Sequence, residues 1–554
     1  LSSVTVDAQG VTGVTTFDYR GEDINPHRVV DPSGGVTVFG WSEGLLTDVV
    51  DPTGVRLQLA YDAHGDLIST TNAFGNTARL ERDGAGRVVA AITPLGNRTE
   101  YRYDERGCLE SRRDPDGAIS RFEHTEAGRM SAMIDPTGAR IGVEYGDDGL
   151  ESATIDALGR EIATARDDLG NISSATLPDG SVWQFGFDAM SRVTEWTDVT
   201  GGHMTLRYDV NGNRVGITDP TGIERTTSYD EAGLPVRVAD SLVSKSAVRD
   251  PLGRITELVG VNGLATHYRY DACGRVIELT DAAGGVTTIE RDAAGRPTMI
   301  SEPAGQTRGY EYDRAGRWSA TIASGGERFE MVYDADSRIV AEHWPDDAEA
   351  STVFDVNGRV VERTEPGRGL TRFGYDKAGR IASIRDAWHG HRRFVHDQAG
   401  QLVKAINPLG GETLYGHDEL AHVTSITDPL GGVSNREYDQ LGRLLSSTDP
   451  DGRVTHYSYD AAGRQLARVE HDGAEYQFTY DATGYASGTA VGGKLLSSIS
   501  RDVAARVGVI KRGPHTDTLT FGPMGQLVSH DRDGRTTTWS YDLAGRRTGL
   551  MRPN

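Results

Sequence analysis

A register that returns every 21 residues runs through most of the chain, and it constrains the fold more than any other feature. An Asp, with Gly expected three residues on, recurs at Asp62, Asp83 and Asp104. It recurs again from Asp167 to Asp481 with a single step of 20, at Asp250. Where the Asp is lacking, at Thr125 and Gly146, Gly128 and Gly149 keep the phase. A second turn follows about ten residues later, as in Asp51-Pro52-Thr53-Gly54, Asp114-Pro115-Asp116-Gly117, Asp219-Pro220-Thr221-Gly222 and Asp428-Pro429-Leu430-Gly431. The segments between turns are about six residues long, the usual length of a strand. Each unit therefore predicts one β-hairpin, and the chain an all-β fold.

The turn chemistry predicts the register of each hairpin. Asp at the first position bonds backbone N–H groups ahead of it, Pro presets φ at the second, and Gly at the fourth takes the left-handed conformation of a type I turn with a G1 bulge. Asp then lies opposite the residue after Gly, often Arg. The next pairs out are Tyr103 with Leu109, Tyr270 with Val276, Phe354 with Val360, Tyr375 with Ile381 and Tyr438 with Leu444. Such aromatic–aliphatic pairs contribute about 0.2–1 kcal/mol each. Before most of these turns stands Tyr or Phe; otherwise the residue is Arg (Arg82, Arg166, Arg249, Arg291, Arg501) or His (His124, His396, His417). All are flat groups with a polar tip, expected to form a ladder from unit to unit. The residues expected to carry turn and ladder are Tyr61, Asp62 and Gly65; Tyr103, Asp104 and Gly107; Tyr270, Asp271, Gly274 and Arg275; Tyr312, Asp313, Gly316 and Arg317; Tyr375, Asp376, Gly379 and Arg380; Tyr438, Asp439, Gly442 and Arg443; and Tyr459, Asp460, Gly463 and Arg464.

Composition favours one array over several domains. The 69 glycines and the apolar 37% are spread evenly, and no linker interrupts them. Residues 1–40 read as irregular lead-in strands, 41–481 as the regular array, and 482–554 as degenerate repeats continuous with it, with Val491-Gly492-Gly493-Lys494 and Gly513-Pro514 replacing clean turns. So wide a sheet must curl. A propeller needs four strands per blade, against two per unit here. A narrow β-helix would need a continuous inward apolar stack, whereas the second face of most strands carries Thr, Ser, Arg or Glu. The expectation is one long curled sheet forming a spiral hollow shell, closing two to three circuits with a diameter of roughly 25–40 Å from the strand spacing.

The formal net charge of -23 disfavours nucleic acid and anionic membranes as partners. Cys108 and Cys273 alone provide neither a disulfide framework nor metal-ligand spacing. No apolar run is long enough to span a membrane as a helix, and no export signal is visible, so the chain reads as a fragment of something longer. No non-repeated nucleophile stands beside a base; catalytic residues, metal ligands and cofactors are all expected to be absent. His389, His391 and His396 form a local cluster, best read as two solvated loop histidines and one in the ladder position.

The motif Tyr-x-Tyr-Asp-x-x-Gly-Arg, at Tyr101 to Gly107, Tyr268 to Arg275, Tyr310 to Arg317 and Tyr457 to Arg464, resembles the YD repeat of the Rhs family. The resemblance covers residues 40 to 546. It implies a hollow β-cocoon, like those of teneurins and insecticidal toxin-complex subunits, that encloses a C-terminal toxin. By that resemblance the chain is a non-enzymatic shell segment, secreted or on the bacterial cell surface, whose partner is its own C-terminal toxin cargo, outside this sequence. Nothing after Tyr541 matches the region in which family members cleave themselves to release cargo. An alternative stays open: an extracellular adhesion or carbohydrate-binding module whose Tyr, Trp and Arg ladders engage cell-surface glycans.

Overall fold

The computed structural model describes residues 3–8, 11–21, 23–240, 243–503, 506–543 and 545–553. It is a meander of 53 strands, from β1 (Ser3–Ala8) to β53 (Arg547–Met551), each antiparallel to the next and all in one sheet. Among the described residues there is no helix, and so none long and apolar enough to cross a membrane.

One unit shows why the chain folds back where it does. Strands β26 (Ala265–Tyr270) and β27 (Val276–Thr280) are joined by the turn at Asp271. Gly274 N–H donates to the Asp271 carbonyl at 3.0 Å, and Asp271 N–H to the Arg275 carbonyl at 2.9 Å. The Asp271 carboxylate accepts from the backbone N–H groups of Cys273 (2.9 Å) and Arg275 (2.8 Å). Gly274 has φ +81°, the left-handed value that closes the turn. Tyr270 lies opposite Val276, and the same offset pairs Tyr103 with Leu109, Phe354 with Val360, Tyr375 with Ile381 and Tyr438 with Leu444. One residue further out the register shifts again, Arg269 facing Glu278, so Ile277 is an extra residue on its strand. This second bulge recurs hairpin after hairpin and adds to the twist.

The repeat led us to expect glycine at every fourth turn position, and several positions depart from it. Ser191, Ser337 and Ala421 stand three residues after Asp188, Asp334 and Asp418, with φ of 59°, 66° and 71°. The same hydrogen bond, Ser191 N–H to the Asp188 carbonyl at 3.0 Å for example, holds them there. At Glu43-Gly44, Gly492-Gly493 and Asp533-Gly534 the long turn gives way to a two-residue one with both φ positive, the form that matches strand twist in tight hairpins.

The sheet is a single layer. No large side chain is fully buried among the described residues; the wholly covered apolar ones are small, such as Ala90, Ala132, Ala320 and Ala350. One face of the unit described carries Tyr268, Tyr270 and Leu279. The other carries ion pairs between strands, such as Arg269–Glu278 at 2.8 Å, Arg98–Glu81 at 2.7 Å and Arg328–Glu311 at 2.8 Å. Accessible surface is 31413 Å² for a 59.8 kDa chain, against about 19,000 Å² for a compact monomer of that mass.

The layer winds onto itself. Hydrogen bonds between distant segments join residues 239 to 243 positions apart. That distance is about eleven and a half repeats. Thr93, in the turn between β9 (Val88–Ile92) and β10 (Arg98–Tyr103), meets Asp336, in the turn between β32 (Arg328–Tyr333) and β33 (Ile339–His343). A circuit is therefore 23 strands, and the described chain makes more than two. The half repeat matters, because the two kinds of turn lie on opposite rims. After each circuit the row at Asp51, Asn72, Thr93 and Asp114 comes to face the row at Asp292, Asp313, Asp334 and Asp355. A ring of 23 strands spaced at about 4.8 Å is roughly 35 Å across, wider than the 16–18-stranded barrels that already leave an aqueous channel.

Candidate functional site: the turn ladder and the seam

The expected ladder residues form a repeated relay. Arg254 is bonded to the Asp250 carboxylate at 2.6 Å, and its guanidinium lies 4.8 Å from the ring centre of Tyr270. The Tyr270 hydroxyl donates to the Ile255 carbonyl at 2.6 Å. Arg296 covers Tyr312 in the same way, as do Arg359 Tyr375, Arg443 Tyr459 and Arg87 Tyr103. Tyr61 and Tyr438 make the corresponding hydroxyl bonds, to Leu46 and Val423, the latter beside the His422 ring. The rungs are thus arginine on aromatic ring, a favourable pairing of charge and π face. Arg replaces Tyr because both reach one acceptor: Arg291 donates to the Val276 carbonyl, 15 residues back, at 3.0 Å.

Among the turn carboxylates, Asp62, Asp104, Asp250 and Asp376 sit below the usual carboxylate range. In Asp250 partial burial opposes ionisation, but the hydrogen bonds from Arg254 outweigh it. In Asp62 and Asp104 the backbone N–H of Asp66 and of Cys108 is the main cause. Asp271, Asp313, Asp376, Asp439 and Asp460 are bonded to Arg275, Arg317, Arg380, Arg443 and Arg464 at 2.6–2.7 Å. Gly65, Gly107, Gly316, Gly379, Gly442 and Gly463 all have φ between 75° and 88°. Two of the expected arginines do not stack on tyrosine, since the next ladder position holds Arg291 or His396: Arg275 reaches Ser33 of the first circuit and Arg380 the Asp397 carbonyl.

The line where circuits meet has its own chemistry, which the repeat alone does not reveal. Asp336 accepts from the Thr93 hydroxyl (2.9 Å) and the Leu95 N–H (3.0 Å). Arg359 bridges Asp355 and Asp116, and Arg296 reaches the Thr53 hydroxyl. Phe74 lies under Arg314 and Arg317, at 5.4 and 5.3 Å. A groove of about 520 Å³ opens at this seam, lined by Leu57, Leu67, Leu80 and Ile92 on one side and Asp336 and Ser337 on the other.

Near the C-terminal end stands a non-repeated charged cluster that the sequence reading missed. Asp517 is 4% exposed and bonded to Arg532 (2.8 Å) and His530 (2.7 Å). These partners, Arg532 first, lower its carboxyl to about 2. Its signal was Asp517 facing Arg532 across a strand pair. His391 and His396 occupy the two ends of one strand, and His389 the turn before it with φ 65°. Among the described residues no group of three His, Cys, Asp or Glu could hold a metal ion.

A single-layer wall of YD hairpins, wound in circuits and pinned turn to turn, defines a class of shell protein. The family model for the RHS repeat matches residues 40–119, in overlapping copies, and 166–203, 208–242, 249–286, 291–328 and 525–553; that for the teneurin YD-shell matches 310–512. The chain belongs to the RHS/YD-repeat family. The crystal structure of TcdB2-TccC3-TEV is similar to it over 98% of this chain and 36% of that one, at 14% identity and a TM-score of 0.56. The Photorhabdus luminescens Tc holotoxin pore, bearing a mutation in TccC3, is similar over 98% and 35%, again at 14% identity and 0.56. This chain spans about a third of the length of those solved chains. No curated protein matches it significantly in sequence.

Proposed function

We propose that this chain is the wall of a container that encloses a toxin or effector segment attached at its C-terminal side, and that it catalyses nothing itself. The observation that carries this reading is the return of the wall onto itself after 23 strands, which encloses a lumen that one layer of side chains cannot fill. In this reading residues 41–481 form the body of the wall, with 1–40 and 482–554 as its ends. The Tyr, Asp, Gly and Arg of each turn hold the wall in shape and act on no substrate. Similarity to Tc-toxin shell proteins supports such a cargo, and with it a secreted or cell-surface location.

The test is to express the chain with the coding sequence that follows it, and to challenge it with protease before and after acid opening. Protection of the C-terminal segment until opening is expected, together with hollow particles in electron micrographs. Immediate digestion with the shell intact, or retention on a glycan array through the outer wall, would instead favour an adhesion module.

A further inference from the structure

Two kinds of joint hold the wall together, and they are unequal. Within a circuit neighbouring strands are bonded backbone to backbone: β26 and β27 pair over four residues, and the turn at Asp271 adds two more backbone hydrogen bonds. Between circuits, among the described residues, no backbone N–H donates to a backbone carbonyl. The hydrogen bonds that cross the seam have a side chain at one end or both. Asp336 takes Thr93 and Leu95, Asn357 accepts from the Asp116 N–H at 3.2 Å, and Arg275 reaches the Ser33 hydroxyl at 3.1 Å. Part-exposed side-chain bonds of this kind are exchanged for water at little net cost. The ion pair between Arg359 and Asp116, at 3.0 Å with both groups about a quarter exposed, is of the same sort.

The circuits also bury little against each other. The apolar tips that meet the next circuit stay half open, Phe74 by 42% and Leu95 by 49%. Between contacts the circuits stand apart, leaving grooves of about 460 to 520 Å³ between the turns at Asn72 and Thr93, Thr93 and Asp114, and Asp156 and Leu177. Loss of apolar burial is what makes separation costly, and little of it is at stake here. The sheet is a single layer whose turns are closed by their own residues, so a hairpin needs no neighbouring circuit to stay folded. We propose that the seam is the parting line of the wall: the circuits separate along it as a unit, and the coil lengthens while every strand keeps its neighbours. Such a unit opens at a lower free energy than the whole molecule unfolds. Parting widens the wall without melting a hairpin, and it asks nothing of a cargo, so it stands apart from the container reading.

Urea titration of the 554-residue chain, followed by small-angle scattering and by far-UV circular dichroism, tests this. Expected is a radius of gyration that rises at lower urea than the strand dichroism falls. In a Cys108→Ala/Cys273→Ala chain, Thr93→Cys/Asp336→Cys joined by a short bismaleimide ties one circuit to the next, and should move the expansion to higher urea. Ala91→Cys/Thr99→Cys, joined in the same way across the paired strands β9 and β10 of one circuit, should leave it where it was. Asn357→Ala, which removes a bond across the seam and none along the sheet, should bring the expansion to lower urea with the dichroism midpoint unmoved. Coincident transitions in the unmodified chain would overturn the proposal. So would an expansion indifferent to the Thr93–Asp336 link, or delayed as much by the Ala91–Thr99 link, either of which would point to melting within a circuit. Equal shifts of both midpoints in Asn357→Ala would overturn it too, since the seam would then open only as the strands unfold.

Discussion

The turn at Asp104 and the turn at Asp271 are the same object in two settings. Their glycines have φ of 88° and 81°, and each glycine N–H donates to its Asp carbonyl at 3.0 Å. The carboxylates accept the same two backbone N–H groups, at 3.0 and 2.8 Å in one and 2.9 and 2.8 Å in the other. Yet Asp271 lies in the seam, where Arg275 reaches Ser33 of the circuit below, whereas the Asp104 turn is bonded within its own circuit, Arg106 reaching the Thr125 carbonyl of the next unit. The conformation is therefore encoded within about five residues, and the seam is built from parts that are already folded. A motif that looks the same in sequence can be bonded within its own circuit or across to the circuit below.

Acid should have the largest effect, and it should strike both settings. Asp104 is held low mainly by the Cys108 N–H, and Asp376 by Arg380 and its backbone against the opposing effect of burial. A carboxyl lowered on folding contributes stability above its unfolded value, near 4, and loses it as pH falls through the folded value. Denaturant midpoints should be level from about pH 7 to 5, then drop between about 4 and 2, where Asp517 is the last of these carboxyls to protonate. A midpoint unchanged at about pH 3 would remove the carboxylates from the account of both rims.

Next come Gly107→Val and Gly274→Val, each expected to cost about 1–3 kcal/mol in urea titrations. An added Cβ meets only the flexible end of Arg87, at 3.3 Å, at Gly107 and ordinary contact at 3.7 Å at Gly274, so most of the cost is that of the positive φ. The two values should agree within about 0.5 kcal/mol; a much larger loss at Gly274 would mean that the seam dictates the turn. Asp336→Ala separates the settings in the other sense, since it removes hydrogen bonds across the seam and none within the sheet. Hydrogen exchange at Leu95 should quicken, global stability falling by about 1–2 kcal/mol, while the Leu109 amide, at the opposite end of its strands, stays as protected as before. Smallest is Ala421→Gly. A left-handed L-residue costs roughly 1–2 kcal/mol and glycine costs about 0.5–1 in lost chain entropy, which leaves a net gain of about 0.5 kcal/mol, read as a raised urea midpoint.

What was legible in the sequence was whatever a single hairpin decides for itself. Asp104, Gly107, Tyr103 and Leu109 are within seven residues of one another, so their pairing follows from turn chemistry alone. That Tyr270 and Arg291 hold equivalent places was readable as an exchange of flat groups, but the shared acceptor, a carbonyl 15 residues back, was not, because it belongs to the preceding hairpin. The extra residue at Ile277 left no compositional mark. Least legible was the seam: that Thr93 meets Asp336 depends on how many strands complete a turn, which is the sum of small twists and bulges along half the chain. The expectation of glycine after Asp188, Asp334 and Asp418 failed because the two hydrogen bonds that frame the turn hold Ser191, Ser337 and Ala421 in a conformation they would not choose alone.

Eleven and a half units to the circuit makes the spiral a screw rather than a stack of rings. Its joint is between two kinds of turn, on which particular contacts such as Thr93–Asp336 are superposed, so deleting or duplicating a 21-residue unit advances every later contact by one notch and still brings the same two kinds of turn together. A gene that gains or loses units by unequal exchange would lengthen or shorten the wall without having to reinvent its turn-to-turn joint.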